Sequence, residues 1–354
     1  MKKHNFSAGP SILPHSVMQK AAAAVQELDS IGLSLIEISH RSKEFVAIMK
    51  RAQNLALKHT GLDGKGYQAL FLQGGASTQF LMVASNLMKT KAGYLNTGAW
   101  SDKAIKEAKR YGEVIEVATS KAQNFNYIPK DFAVSSDLDY LHITTNNTIF
   151  GTQFHNLPDT DVPLIADMSS DIFSREIDYS AFDLFYAGAQ KNMGPAGTTL
   201  VIVKESLLEK MNQEVPAMLS YATHADKESM FNTPPVFAIY TSMLTLEWLE
   251  EQGGIAAIEK HNRSKAKLIY DEIDRNSAFK GFAAREDRSY MNATFNLADN
   301  IDGTAFDNLW ASANISGLKG HRSVGGYRAS IYNALPLESV QKLVDIMQQF
   351  EKTL

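Results

Sequence analysis

The feature that most constrains the fold is an alternation of short apolar runs with helix-forming segments between about residues 65 and 204. Most of these runs are too apolar to be strands with one exposed face, so they predict buried strands of a mainly parallel sheet. Helix-like stretches such as 80–88 and 101–111 separate them, as in βαβ units. The predicted strands are 67–72, 93–96, 114–118, 138–144, 164–168, 184–187 and 199–203.

The pattern changes after Glu250, where Gly253 and Gly254 end one helix and a long helical stretch runs to about residue 276. Strand-like pieces near 291–297 and 328–333 precede a last helix that begins at Leu337. We therefore predict an α/β protein with a large domain over residues 16–254, built on a seven-stranded, mainly parallel sheet flanked by helices. A smaller α+β domain is predicted over 255–354, and residues 1–15 are expected to form an arm that packs with it.

The amino-acid composition argues against several classes of function. Lys and Arg number 35 against 39 Asp and Glu, a net charge of −4, so we expect no nucleic acid partner. The chain contains no cysteine, which excludes a thiolate nucleophile and Cys-ligated metals, and we expect no metal site. Polar residues interrupt the longest apolar stretch, 236–249, and no apolar leader follows Met1. A cytoplasmic protein without membrane contact is expected.

Lys191 is the sharpest local feature of the sequence. An apolar strand delivers it into a turn that contains Gly194, Pro195 and Gly197. Most lysines are solvated surface residues. At the end of a buried strand, however, the amine loses its proton more readily and becomes a nucleophile suited to Schiff-base chemistry with a flat ligand.

Asp167 ends another apolar strand, and a functional role for it is indicated only when it is considered together with Lys191. Alone it would more simply cap the following turn. Together the two residues fit a pyridoxal phosphate site, in which a carboxylate keeps the pyridine nitrogen protonated. The glycine turn before Ala76 and Ser77 offers backbone N–H groups to a phosphate, although ordinary strand-to-helix turns also use glycine. Trp100 follows the next strand, where it either stacks on the ring or belongs to the core.

Two His-Arg pairs complete the candidate site. His321 and Arg322 lie in a glycine-rich loop that continues to Arg328, and His40 is followed by Arg41. A solvated basic loop is the simpler explanation of such a cluster. Arginine nevertheless binds carboxylate or phosphate with two parallel hydrogen bonds, so the two pairs suggest a substrate with two acidic ends.

These residues lie in motifs that resemble the phosphoserine aminotransferases, a branch of the class V, fold type I pyridoxal phosphate enzymes. The resemblance runs nearly end to end, and seven motifs follow one another in the family's order. They are NFSAGP (5–10), EISHR (37–41), NTIFG (147–151), ADMSS (166–170), YAGAQKN (186–192), MFNTPP (230–235) and GHRSVGG (320–326), the last of which continues into RASIYNA (328–334).

The resemblance implies a role for each matched residue. Lys191 would bind pyridoxal 5′-phosphate covalently and then move the proton during transfer, Asp167 would pair with the pyridinium nitrogen, and Trp100 would stack on the ring. Thr148 would bond the ring's phenolic oxygen, while Gln190, Ala76 and Ser77 would hold the phosphate. Many relatives carry an arginine where this chain reads Ala76-Ser77-Thr78, so phosphate binding should depend here on backbone donors and hydroxyls.

The resemblance also implies a homodimer with shared active sites. Asn232 and Thr233 would reach the phosphate of the neighbouring subunit's cofactor. The expected reaction is amino transfer between L-glutamate and 3-phosphohydroxypyruvate in serine synthesis, with the related vitamin B6 substrate left open. The residues expected to line the substrate pocket are His40, Arg41, His321, Arg322 and Arg328.

Other functions remain open at this stage. A class V aminotransferase that acts on glyoxylate would keep Lys191 and Asp167 but does not need so many cations. A cysteine desulfurase of the same fold needs a cysteine that the chain lacks. A non-catalytic protein that binds a phosphorylated metabolite would explain the arginines but not Lys191 beside its glycine turn.

Overall fold

The computed structural model describes residues 3–354, in which ten α-helices surround four sheets. The helices are α1 (His15–Gln26), α2 (Lys43–Thr60), α3 (Gly75–Leu87), α4 (Ala99–Ala108), α5 (Glu205–Leu208), α6 (Tyr221–Asp226), α7 (Val236–Glu251), α8 (Gly254–Arg275), α9 (Gly303–Ser312) and α10 (Leu337–Glu351). The strands are β1 (His4–Asn5), β2 (Tyr67–Leu72), β3 (Lys91–Asn96), β4 (Glu113–Thr119), β5 (Leu141–Thr144), β6 (Asn146–Asn147), β7 (Thr152–Gln153), β8 (Leu164–Asp167), β9 (Leu184–Gly188), β10 (Thr199–Lys204), β11 (Phe279–Gly281), β12 (Asn292–Leu297), β13 (Ile315–Ser316) and β14 (Tyr327–Ser330).

The main sheet has seven strands in the order β2-β10-β9-β8-β5-β3-β4. Within it, β10 runs antiparallel to its neighbours β9 and β2 and the other pairs are parallel, which confirms the predicted mainly parallel α/β fold. Because the parallel strands share one direction, their carboxyl ends meet at one edge of the sheet. Asp167, at the end of β8, pairs there with Thr144 on one side and Tyr186 on the other.

Helices cover both faces of this sheet. Apolar residues of α1, α2 and α7 form one buried cluster against it, and those of α3 and α4 form a second cluster on the opposite face. Helix α7, which contains the longest apolar stretch of the sequence, is buried around most of its circumference. Within residues 3–354, no helix combines the length and the apolar character needed to cross a membrane.

The C-terminal region builds a third core around the sheet β11-β12-β14. Helices α8, α9 and α10 pack on it, and the fully buried Phe6 of the N-terminal arm joins the same cluster. The arm begins as β1, which pairs in parallel with β13. It then crosses to the main sheet, where the amide of Ser11 donates to the carbonyl of Gln190 at 2.9 Å.

Several elements differ in extent from the sequence prediction; strand β5 begins at Leu141 rather than at residue 138, and α4 covers Ala99–Ala108 rather than 101–111. Helix α3 begins at Gly75 rather than near residue 80, because Gly74 adopts a left-handed φ of 94° that turns the chain directly from β2 into the helix. A Cβ at Gly74 would lie 2.0 Å from the Thr78 hydroxyl, so only glycine fits this turn. Strand β14 ends at Ser330 rather than at residue 333, because backbone groups of the next three residues bond the side chains of Lys265 and Asn192.

Candidate active site

A cavity of about 310 Å³ opens at the carboxyl edge of the main sheet. It collects residues from the ends of β5, β8 and β9, from the start of α3, from the N-terminal arm and from the region of β14. Its lining is formed by Ala8, Gly9, Gly75, Ala76, Ser77, Trp100, Thr144, Asn146, Thr148, Ile149, Asp167, Ser169, Ser170, Gln190, Lys191, His321 and Arg328. Ligands of α/β proteins bind at this edge as a rule.

Lys191 lies three residues beyond β9 and is 9% exposed. Its Nζ donates to the Thr148 hydroxyl at 3.0 Å. The pKa of Lys191 is lowered to about 8, chiefly by burial; the Asp167 carboxylate opposes this shift, and the Arg328 cation acts in the same direction as burial. A substantial fraction of the amine is therefore neutral near physiological pH, the state in which it can attack a carbonyl or accept a proton.

Asp167 is 4% exposed and accepts a hydrogen bond from the Ser169 amide at 2.9 Å. Burial raises the pKa of the Asp167 carboxyl, whereas the bonds from Ser169 and the nearby Lys191 cation act in the opposite direction. No cation among residues 3–354 forms an ion pair with it. A protonated group of a ligand, within hydrogen-bond distance of this buried carboxylate, would stabilise its charge.

The start of α3 forms the third side of the cavity. Gly75, Ala76 and Ser77 lie in the first turn, whose N–H groups have no partner inside the helix. The helix dipole adds positive potential at the same point. Gln190 also faces the cavity, so the site offers neutral donors to an anion. The residues of this first turn, 75–78, include no basic side chain.

Trp100, in the first turn of α4, closes another wall. The Lys191 Nζ lies 5.8 Å from the centre of the indole ring, and the Lys103 Nζ lies 4.4 Å from it. Trp100 is only partly buried and borders the cavity, so it is not an ordinary core residue.

Arg328 and His321 are the predicted substrate residues that line this cavity. One guanidinium nitrogen of Arg328 donates to the Thr148 carbonyl at 3.4 Å. Its Nε is buried and has no partner among the described residues, so a donor remains for a ligand. Arg322 is exposed and does not line the cavity.

The remaining predicted residues lie outside the cavity. His40 and Thr233 line a separate depression together with Ile36, and Asn232 borders a pocket near Gln73. The Gln73 side-chain amide donates to the Asn232 carbonyl oxygen at 2.8 Å and to the Thr233 backbone carbonyl at 2.7 Å. Arg41 is exposed.

Sequence reasoning missed part of the cavity wall. Ala8 and Gly9 of the arm lie beside Lys191, and a Cβ at Gly9 would come within 3.3 Å of the Lys191 Cγ. Thr144 and Ser169 also face the cavity. The signal for the arm was its NFSAGP motif, which by itself does not reveal where the arm packs.

The residues that line the cavity can hold pyridoxal phosphate, and this conclusion follows from the structure of this chain without reference to other proteins. The Trp100 Nε1 and Thr144 Oγ1 atoms border the cavity, and both are buried without a hydrogen-bond partner in the described part of the chain. Asp167 has no cation paired with it there, Lys191 holds a readily deprotonated amine, and α3 opens with free N–H groups. Pyridoxal phosphate has a matching group for each of them: a basic ring nitrogen for Asp167, a carbonyl carbon for Lys191 and a phosphate for the N–H groups of α3.

The class of protein follows from this fold and site together with the family match. Residues 3–343 match the family model described as aminotransferase class-V. The enzyme is thus a pyridoxal phosphate-dependent aminotransferase, as the sequence predicted.

Full-length relatives narrow the family. A phosphoserine aminotransferase of Flavobacterium psychrophilum is 62% identical over 353 residues, which cover 99% of both chains. The solved phosphoserine aminotransferase from Bacillus circulans subsp. alkalophilus superposes with a TM-score of 0.96 at 45% identity and covers 99% of each chain. The pyridoxal phosphate-bound phosphoserine aminotransferase from Trichomonas vaginalis gives 0.93 at 36% identity and covers 98% of this chain and 100% of its own. The chain belongs to the phosphoserine aminotransferase family.

Proposed function

We propose that the enzyme transfers an amino group reversibly between L-glutamate and 3-phosphohydroxypyruvate, giving O-phospho-L-serine and 2-oxoglutarate in L-serine biosynthesis. The observation that carries this proposal is one cavity in which the Lys191 amine, the Asp167 carboxylate and the Arg328 guanidinium meet. Family membership supports the choice of substrates.

Lys191 and Asp167 supply the chemistry of the protein itself. When bound, pyridoxal phosphate withdraws electrons from the substrate carbon. The Lys191 amine would hold the cofactor and, once substrate displaces it, would accept and return the proton of the 1,3-shift, a role that its pKa of about 8 suits. The Asp167 carboxylate would pair with the ring nitrogen and favour its protonated form.

Neutral groups of this chain hold the rest of the cofactor. The first turn of α3, with Ala76 and Ser77, and the Gln190 amide bind its phosphate. Trp100 would stack on the ring. Thr148, whose hydroxyl accepts from Lys191 at 3.0 Å, would bond the phenolic oxygen.

Cationic residues orient the two substrates. Arg328 binds the α-carboxylate that both of them carry, because its buried Nε has no partner among residues 3–354 and its guanidinium lies next to Thr148. His321 lines the same cavity and binds the distal anion. Arg322, His40 and Arg41 add charge to that distal end, the first from its loop and the other two from a neighbouring subunit.

The proposal includes a homodimer with shared sites. Asn232 and Thr233 lie outside the cavity of their own chain and would complete the phosphate site of the partner. Apolar side chains line the depression that contains His40, and two of them are exposed, Ile36 at 63% and Phe237 at 37%. Exposed apolar clusters of this kind favour association. The buried His40 Nε2, which has no partner among residues 3–354, is consistent with a partner chain there.

One assay tests the reaction. The purified enzyme, loaded with pyridoxal phosphate, is given L-glutamate with phosphorylated hydroxypyruvate, unphosphorylated hydroxypyruvate or, in a separate reaction, glyoxylate, and 2-oxoglutarate is measured. We expect a strong preference for the phosphorylated acceptor. Equal use of both acceptors, or activity with glyoxylate alone, contradicts the substrate assignment, and absence of any amino transfer favours a metabolite-binding protein. A cytoplasmic location and use of the vitamin B6 precursor remain predictions.

A further inference from the structure

Lys265 is a fully buried lysine that lies outside the cavity. It belongs to α8 of the C-terminal region and is 0% exposed. Its Nζ donates to the backbone carbonyls of Ile331 at 2.9 Å and Tyr332 at 2.6 Å. No carboxylate of the described chain pairs with it, and burial lowers its pKa well below the usual value. Burial of an amine without a counter-ion is unfavourable, so its position calls for an explanation.

The backbone that Lys265 holds leads directly to the active site. Ile331 and Tyr332 follow β14, the strand of Arg328. The Tyr332 hydroxyl donates to the Ala8 carbonyl of the N-terminal arm at 2.8 Å and accepts from the Asn292 side chain at 3.3 Å. Burial raises the pKa of Tyr332 to about 12, and the Asn292 side chain and the Arg328 cation oppose this shift.

The arm in turn lies against Lys191. Gly9, next to Ala8, is so close that an added Cβ would lie 3.3 Å from the Lys191 Cγ and 3.6 Å from its Cε. Two residues further, the Ser11 hydroxyl donates to the Lys191 carbonyl at 2.5 Å. The position of the arm therefore determines the space in which the Lys191 side chain can move.

We propose that Lys265 is a positioning residue, which fixes the Ile331–Tyr332 backbone so that the Tyr332 hydroxyl holds the N-terminal arm at Ala8 and keeps Gly9 against Lys191. The proposal rests on the role given to Lys191 above. Lys265 contacts neither substrate nor cofactor and acts through Tyr332.

Neighbouring residues of α8 explain why Lys265 is specific in this role. Asn262 donates to the Asn333 side chain at 2.8 Å, and His261 lies 3.3 Å from the Leu335 carbonyl. Both hold the segment further along the chain. Lys265 instead bonds the carbonyls of Ile331 and Tyr332 themselves, on either side of the Tyr332 Cα from which that side chain projects.

The test compares Lys265→Met and Tyr332→Phe with Lys267→Met, a control on the same helix whose side chain is 76% exposed. Backbone hydrogen exchange of residues 4–14 is measured in the cofactor-free protein. Loss of about one hydrogen bond should speed exchange in the arm roughly three- to tenfold in the first two variants and leave the control unchanged. The single-turnover rate with L-glutamate should fall by a similar factor, and the double variant should be no slower than the slower single variant.

Several results would overturn the proposal. If Lys265→Met lowers the melting temperature but leaves hydrogen exchange in the arm and the single-turnover rate with glutamate unchanged, the lysine has a purely structural role. If Lys265→Met does not fold, unchanged arm exchange in Tyr332→Phe overturns it instead. Additive losses in the double variant would show that the two residues act separately. Failure of the proposed function is distinguishable, because the unmodified enzyme would then lack amino transfer whatever the exchange results.

Discussion

The cavity at the carboxyl edge of the sheet differs from the loop surface, defined here as residues 36–41 and 232–238, in how deeply its candidate functional residues are buried. In the cavity, Lys191 and Asp167 are buried, and their surroundings shift both pKa values. On the loop surface, Arg41, Asn232 and Thr233 are exposed, and apolar side chains such as Ile36 face outward.

This difference teaches where the two kinds of function reside. Proton transfer needs groups whose pKa is tuned by burial, and strand ends within one chain supply that burial. Recognition of a distal anion needs only reach and charge, so residues on an exposed or shared surface can provide it. Variants in the cavity should therefore change the chemistry, whereas variants of the loop surface should change assembly and substrate recognition.

The largest effect is expected for Lys191→Ala. One amine both holds the cofactor and moves the proton, so turnover should fall by about 10⁴-fold or more while the fold is retained. Steady-state amino transfer and far-ultraviolet circular dichroism measure the two properties. Lys210→Ala, on the exposed surface, is the matched control. Near-normal transfer by Lys191→Ala would remove this lysine from the mechanism.

Asp167→Asn should lower turnover by about a hundredfold or more, because a neutral amide cannot hold the ring nitrogen's proton by charge. Glutamate binding should change far less, and kcat and KM separate the two effects. Unchanged turnover would return Asp167 to a turn-capping role.

A second buried aspartate provides a sharp control for Asp167. Asp171 accepts from Gln153 at 3.1 Å and pairs with Arg175 at 3.4 Å, and it does not line the cavity. Asp171→Asn should cost about 3 kcal/mol of unfolding free energy, because it leaves a buried arginine unpaired. Its effect on turnover of the folded enzyme should be small by comparison with Asp167→Asn. Denaturant unfolding and kinetics on the same preparations measure both.

Arg328→Leu and Arg322→Leu distinguish the two ends of the substrate. Removal of one charge-assisted contact costs about 1.5–3 kcal/mol, roughly a ten- to hundredfold loss in kcat/KM. Arg328→Leu should impair glutamate and the phosphorylated acceptor alike, since both carry an α-carboxylate. Arg322→Leu should affect mainly the phosphorylated acceptor, whose phosphate carries more charge. Equal losses for both substrates in Arg322→Leu would show that the ends are assigned wrongly.

The smallest expected effect is a partial recovery of activity, and it tests whether the loop surface completes the active site of a partner subunit. Lys191→Ala mixed with Asn232→Ala, each inactive alone, should regain about a quarter of normal activity after random subunit exchange, because half of the sites in half of the dimers are intact. Activity before and after exchange is compared with sedimentation. A fully active monomer, or no recovery despite mixed dimers, contradicts shared sites.

Much of this architecture could be predicted because apolar runs and strand ends are local features. The seven strands, the mainly parallel order and the membership of Lys191 and Asp167 in one site follow from runs whose ends share a sheet edge. The cofactor and the enzyme class are confirmed. The domain boundary at 254/255 and the individual substrate residues remain predictions.

The sequence alone determined which residues are candidates for catalysis and binding. An apolar run, a glycine turn and a pair of cationic residues are each formed by neighbouring residues, so each can be recognised from a short stretch of sequence. Tertiary structure decided what lies beside them. Residues 8 and 191 are far apart in the chain, yet the arm forms the cavity wall next to the Lys191 side chain. Lys265 is one of many lysines in the sequence and is buried only because α8 packs against the segment after β14. Such contacts arise from packing between elements distant in sequence, and no local pattern encodes them.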